Sequence, residues 1–129
     1  MRILICDDEG IVQQAIRFMI QKSFGDEFEI ESAKNGRMAI ELAESFRPDI
    51  ILMDIQMPIM DGYKATRAIR RFSDKKKAGI PIVAMTANAF TEDKERALES
   101  GMNDHVAKPI DMKVLMSVLE EQICGHKGL

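Results

Sequence analysis

Ile50-Ile51-Leu52-Met53-Asp54 is the stretch that decides the fold: four apolar residues without polar alternation run straight into a carboxylate. A strand wetted on one side alternates apolar and polar residues. An unbroken apolar run suits a strand covered on both faces, as in a parallel sheet under helices. The pattern recurs along the chain. Ile3-Leu4-Ile5-Cys6 leads into Asp7 and Asp8, Ile82-Val83-Ala84-Met85 into Thr86 and, more weakly, His105-Val106-Ala107 into Lys108. Phe28-Glu29-Ile30-Glu31 alternates and reads as a partly exposed strand.

Helical periodicity fills the intervals. Val12, Ala15, Ile16, Met19 and Ile20 share one helical face, and Ala39, Leu42, Ala43 and Phe46 mark a second helix bounded by Pro48. A third begins after Asp61-Gly62, with Ala65, Ala68, Ile69 and Phe72 inward, and Gly79-Ile80-Pro81 punctuates the entry to the next strand. Thr91 is the expected N-cap of a fourth helix, with Glu92 and Asp93 in its first turn and Gly101 as its stop. The fifth opens after Pro109, capped by Asp111, with Met112, Leu115, Met116, Leu119 and Ile123 on one side. The expectation is a doubly wound α/β fold, (βα)5, with a five-stranded parallel sheet in the order 2-1-3-4-5 and helices on both faces. Residues 1–124 form one domain and residues 125–129 a short frayed tail.

Bulk composition excludes several classes. The 129 residues suit a single core, and 46% hydrophobic with 30% charged residues is ordinary for a water-soluble domain. A net charge of −3 and a pI of about 5.4 offer no electrostatic attraction to nucleic acid or an anionic membrane. The Lys75-Lys76-Lys77 run is read as hydrated loop rather than a docking site. Cys6 and Cys124 are expected as free thiols in a reducing compartment. No leader precedes the first strand and no apolar stretch approaches ~20 residues, so a cytoplasmic protein is expected.

The polar residues at the strand ends carry the chemistry. In the order 2-1-3-4-5, Asp7 and Asp8 stand beside Asp54 at the switch point, and Thr86 and Lys108 approach from one side. Three carboxylates so placed repel one another, so either one takes up a proton or a cation lies among them. Donors that are all oxygen point to a hard ion such as Mg²⁺, which keeps several waters and leaves room for a phosphoryl oxygen. Lys108 then serves as a point charge for an arriving anion, and Thr86 can donate to it. An ionised Asp54 could act as a nucleophile toward phosphorus, forming an acyl phosphate. Each motif also has a plainer reading: Asp7-Asp8-Glu9 as a helix cap, Lys108-Pro109 as a turn, a lone Asp as a loop former. Capping needs do not explain why all of them share one sheet edge.

In combination, Asp7-Asp8-Glu9, Asp54-Ile55-Gln56-Met57-Pro58 with Asp61-Gly62, Met85-Thr86-Ala87 and Lys108-Pro109 resemble a response-regulator receiver domain of two-component signalling, from Arg2 to about Ile123. The resemblance implies that Asp54 is the phosphoacceptor and that Asp8 and Asp54 ligate Mg²⁺. Asp7 would act through water, and the backbone carbonyl of Gln56 would complete the protein ligands. It implies that Thr86 moves toward the phosphoryl group, that Lys108 pairs with it, and that the bond before Pro109 is cis. The position three before the lysine, usually Tyr or Phe in the family, is His105 here, either a switch ring or a surface histidine. Met85-Thr86-Ala87-Asn88-Ala89-Phe90 and Gly101-Met102-Asn103-Asp104-His105 are similar to receivers of hybrid histidine kinases or phosphorelays.

The function so implied is a phosphorylation-dependent switch. Its partners would be a histidine kinase or histidine phosphotransfer protein and an unknown downstream target, with no nucleic acid and no membrane. Its readout would be the surface of the fourth helix, fifth strand and fifth helix. It would catalyse only its own phosphorylation and dephosphorylation, with Gln56 and Asn88 flanking the pocket. Alternatives are an aspartyl-phosphate phosphatase of the haloacid dehalogenase type, a flavodoxin-like cofactor module and a receiver-like scaffold without phosphorylation. The first wants a second acid where Gln56 stands, and the second a glycine- or hydroxyl-rich cradle in place of Asp7-Asp8-Glu9. The scaffold has no need of intact acidic residues and lysine.

Overall fold

A computed structural model describes residues 1–87 and 91–126, with side chains for all of these except residues 91, 92 and 124–126. Five parallel strands, β1 (Arg2–Cys6), β2 (Glu29–Ala33), β3 (Ile50–Asp54), β4 (Ile82–Thr86) and β5 (Asp104–Ala107), form one sheet in the order β2-β1-β3-β4-β5. The helices are α1 (Gly10–Phe24), α2 (Gly36–Ser45), α3 (Gly62–Arg70), α4 (Lys75–Ala78), α5 (Thr91–Ser100) and α6 (Met112–His126). The expected topology is therefore the observed one, with one addition. Lys75 to Ala78, read as loop, is a single helical turn whose N-cap Asp74 accepts hydrogen bonds from the backbone N–H of Lys76 and Lys77. The expected fourth and fifth helices are thus α5 and α6. The latter runs to His126, two residues into the expected tail.

Strand residues alternate between two cores. Leu4, Cys6, Ile51, Met53, Ile82 and Ala84 pack with α2, α3 and α5 on one face. Ile3, Ile5, Leu52, Val83, Met85 and Val106 pack with α1 and α6 on the other. This explains the unalternating runs, since every residue of β3 and β4 is buried. Burying each Ile or Leu side chain contributes about 1.5–3 kcal/mol. Cys6 is free and buried, its thiol pKa raised by burial and by Asp7, which suits packing and not reactivity. The side chain of Cys124 lies outside the described residues.

Local signals set the helix ends. Asn35, Asp61 and Asp111 each accept a hydrogen bond from the first turn of α2, α3 and α6, at 2.9, 2.9 and 2.8 Å. Such caps contribute about 1 kcal/mol each. Gly101, at φ 109°, ends α5 as expected, while the expected capping by Thr91 lies outside the described residues. In α1, Ala15 is exposed and Gln13 is buried, the reverse of the apolar periodicity. The cause is polar: the Gln13 amide donates to the backbone oxygens of Asp7 (2.5 Å) and Ala33 (3.0 Å).

The β3–α3 loop holds Ile59 at φ 70°, with its side chain 75% exposed. A β-branched residue gains nothing in that left-handed region and packs against little. Ile59→Gly is therefore expected to stabilise the protein by about 0.5–1 kcal/mol, the relief of strain exceeding the added freedom of the unfolded chain. Urea denaturation checks this, and a loss of stability would show that Ile59 is not strained.

Candidate functional site

The carboxyl edge of the sheet gathers residues distant in sequence. Asp7 follows β1, Asp54 ends β3, Thr86 ends β4 and Lys108 follows β5. Asp54 is paired in register with Met85, and Thr86 with Ala107, so the strand ends lie level. The Lys108 ammonium bridges the acids: its Nζ is 2.8 Å from Asp7 Oδ2 and 3.3 Å from Asp54 Oδ2. Asp7 is fully buried, and Asp54 is 5% exposed.

Electrostatics follow from that crowding. Burial, and then the Asp7 charge, raise the Asp54 pKa to about 6, while Lys108 and the Gln56 N–H pull the other way. Burial works against the Lys108 charge, but its hydrogen bond to Asp7 and the two carboxylates outweigh it, so its pKa stands above the ordinary lysine value. The cluster carries more negative charge than one ammonium balances comfortably. Asp7, Asp8 and Glu9 each present a carboxylate oxygen within 4.8 Å of one another, and Asp8 and Glu9 are exposed. Oxygen donors alone, on a turn opening to solvent, suit a hard divalent cation that retains waters. That donor set fits Mg²⁺.

The turn bearing these acids is anchored. Glu9 N–H donates to Asp7 Oδ1 at 2.9 Å, Asp7 N–H to Ala33 O at 3.0 Å, and Gln13 holds the Asp7 carbonyl from below. On the other side, Gln56 N–H reaches Asp54 Oδ1 at 3.3 Å, and the Gln56 side chain is exposed. The hydroxyl of Thr86 is buried and has no hydrogen-bond partner among the described residues, so it is placed to donate to an arriving group. A cavity of about 90 Å³ opens beside it, lined by Asp54, Ile55, Gln56, Met85, Thr86 and Asp93. The Lys108–Pro109 bond is cis. His105 is half-buried on β5 opposite Ala84, with Nδ1 3.8 Å from Asp104 Oδ1.

Asp7, Asp54, Thr86 and Lys108 are thus brought together. Asp8 shares the acidic turn, whereas His105 stands back from it along β5. Asn88 lies outside the described residues. Sequence reading missed Gln13, whose burial no periodicity signals, and the place of Asp93, which it read only as a favourable first-turn charge. Glu9, whose plainer reading is as part of a helix cap, belongs to the oxygen cluster.

The family model for "Response regulator receiver domain" matches residues 3–120. Among curated proteins, the chain is 41% identical over 130 residues to hybrid signal transduction histidine kinase I of Dictyostelium discoideum, covering 97% of this chain and 7% of the relative. It is 38% identical over 123 residues to regulatory protein AtoC of Escherichia coli, covering 95% of this chain and 25% of that protein. The chain therefore spans a small part of the relatives' length. Among solved structures it superposes on the receiver domain of sensor histidine kinase PA1611 from Pseudomonas aeruginosa, which has a magnesium ion coordinated in its active site cleft. The TM-score is 0.83, with 38% identity, covering 95% of this chain and 96% of that one. It also superposes on the complex of the Saccharomyces cerevisiae phosphotransfer protein Ypd1 with the receiver domain of Ssk1. There the TM-score is 0.84, with 30% identity, covering 96% and 89%. With the sheet order, the acidic strand ends and a family match over nearly the whole length, the chain belongs to the response-regulator receiver domains of two-component and phosphorelay signalling.

Proposed function

We propose that this domain, residues 1–124, is a phosphorylation-controlled switch in which Asp54 accepts a phosphoryl group from a phosphohistidine. The donor would be a histidine kinase or a histidine phosphotransfer protein, and the domain would work in the cytoplasm. The observation that carries this reading is the Asp54 carboxylate at a strand end, 3.3 Å from Lys108 and lining a cavity with Thr86, whose buried hydroxyl has no hydrogen-bond partner among the described residues. Asp54 attacks phosphorus as the P–N bond to the donor imidazole breaks, and the imidazole keeps the electron pair. Lys108 balances the charge that develops on the phosphoryl oxygens, and Thr86 donates to one of them. Asp7, Asp8, Asp54 and the Gln56 carbonyl would hold Mg²⁺, which when bound supplies further charge neutralisation. Movement of Thr86 then biases the surface of α5, β5 and α6, with His105 as the switch ring. No substrate turns over beyond this self-modification.

An apolar groove of about 270 Å³ adjoins Lys108 and is lined by Ile11, Val12, Ala15, Met19, Pro109 and Ile110. Ile11 is 82% exposed, and Phe18 on the same helix 62%. Such a face beside the acceptor supports docking of the phosphoryl donor there. The aspartyl-phosphate phosphatase reading gains nothing from the site, since Gln56 stands where the second acid is wanted.

Incubation with a phosphorylated histidine phosphotransfer protein and Mg²⁺ is expected to label the wild-type chain with an acid-stable, base- and hydroxylamine-labile phosphoryl group. Asp54→Asn should take up none, and persistent labelling in that variant would overturn the assignment. Protons and metal compete for Asp54, so Mg²⁺ affinity should be flat above pH 7 and fall roughly tenfold per unit below about pH 6. Calorimetric titration checks this. Affinity unchanged between about pH 5 and 8 would remove Asp54 from the ligand set.

A further inference from the structure

The amino-terminal edge of the sheet, roughly 13 Å from the acidic edge along β3, carries a second concavity. A cavity of about 510 Å³ lies between the α2–β3 loop and the α4 turn, lined by four cations (Arg47, Lys75, Lys76, Lys77) and two acids (Asp49, Asp74). Both acids orient their carboxylates on backbone N–H groups and keep their charge. Asp49 Oδ2 accepts the Arg2 N–H at 2.8 Å, and Asp74 Oδ1 accepts two backbone N–H groups at 2.9 and 3.3 Å. Lys77 reaches Glu44 at 3.5 Å. Arg47, Lys75 and Lys76 make no side-chain hydrogen bond or ion pair among the described residues. Four cations against two acids leave the hollow with a surplus of positive charge, in a chain of net charge −3, although Arg47 and Lys77 also act on the Asp74 charge.

Two further features mark the place. Arg47 holds φ 54°, a left-handed conformation that glycine adopts at less cost. Beneath the cations lies apolar surface from the buried Pro48 and from Ile80, which is 5% exposed. Cationic rim, apolar floor and a volume inside the ~300–1,000 Å³ range of small-molecule pockets occur together. We propose that this cavity binds a phosphorylated small molecule of nucleotide size, its phosphates on Arg47, Lys75 and Lys76 and its body against Pro48 and Ile80. An acidic protein segment fits less well, because the cations line a concavity rather than a flat face.

Titration of ADP into the ¹⁵N-labelled full chain in EDTA, followed by NMR, tests this. Shifts are expected at the amides of residues 47–49 and 75–80, with sub-millimolar affinity that weakens with salt. Affinity should fall about tenfold or more in Lys75→Glu/Lys76→Glu. Arg47→Gly should weaken binding while leaving the melting temperature unchanged or higher, which separates lost charge from lost fold. Absence of shifts at these amides would overturn the proposal, as would shifts centred on residues 7, 54 and 108 or unweakened binding in Arg47→Gly. A hexaglutamate peptide binding as tightly as ADP would overturn it in favour of an acidic protein partner. None of these outcomes depends on phosphorylation of Asp54.

Discussion

Asp54→Asn is expected to stabilise the metal-free protein by about 3 kcal/mol above pH 7. The cause is the environment of the carboxyl group, where burial and Asp7 lift its pKa from 3.8 to about 6. The native state therefore binds the Asp54 proton more tightly than the unfolded chain does. The resulting stabilisation is full below about pH 3.8 and is lost as pH rises through about 6. At pH 8 the wild type holds an ionised carboxylate in a place that disfavours it, and the neutral amide of Asn escapes that cost while filling the same volume. Lys108 keeps its 2.8 Å contact with Asp7. In EDTA at pH 8 the variant should melt roughly 10 °C higher. The gap should close as pH falls toward 4, where the wild-type carboxyl is itself neutral. Equal melting at pH 8, or a gap that persists in acid, would show that Asp54 is not electrostatically strained. A more stable variant would show that packing does not account for an aspartate at this position.

Gly62→Ala should have the opposite sign and at least the same size. Gly62 opens α3, and its N–H donates to Ile55 O at 2.9 Å, which pulls the helix start against the end of β3. A methyl group there would collide with the backbone oxygen of Asp54 and lie 3.0 Å from both Ile55 Cα and Met53 Cγ. Two of these neighbours are backbone in or just beyond a fully buried strand, so α3 must back away. Its buried residues Tyr63, Ala65, Thr66 and Ile69 would move with it. A destabilisation of about 3 kcal/mol or more is expected in urea. Gly10→Ala is the control, because its added carbon meets nothing within 4 Å. If the two variants unfold alike, the close approach of α3 to β3 is not what glycine provides.

The sheet was legible because residues 3–6 of β1, 50–53 of β3 and 82–85 of β4 are buried on both faces and carry no polar residue to confuse the pattern. The site was legible for a related reason: a polar residue directly after such a run has to emerge at the strand's end. Less was readable where polar atoms find partners far away in the chain. Gln13 is buried because two carbonyls, those of Asp7 and Ala33, converge on it, and only β2 pairing with β1 brings Ala33 there. The α4 turn has no apolar face to announce it, and it is held by the Asp74 cap under a run of lysines. Arg70 reads as one more surface charge on α3, yet its guanidinium donates to the backbone oxygens of Ala78, Ile80 and Gly101 and to Asn103 Oδ1, at 2.6 to 2.8 Å.

That fan of hydrogen bonds makes Arg70 a rivet through three separate segments: the end of α3, the α4 turn and the chain entering β5. Asn103 extends it, since the same oxygen that takes the Arg70 bond also accepts the N–H of Ile82 at the start of β4. In native-state hydrogen exchange, these stretches should lose protection as one cooperative block rather than fray in sequence. A single long side chain thereby defines the smallest portion of this half of the molecule that can open by itself.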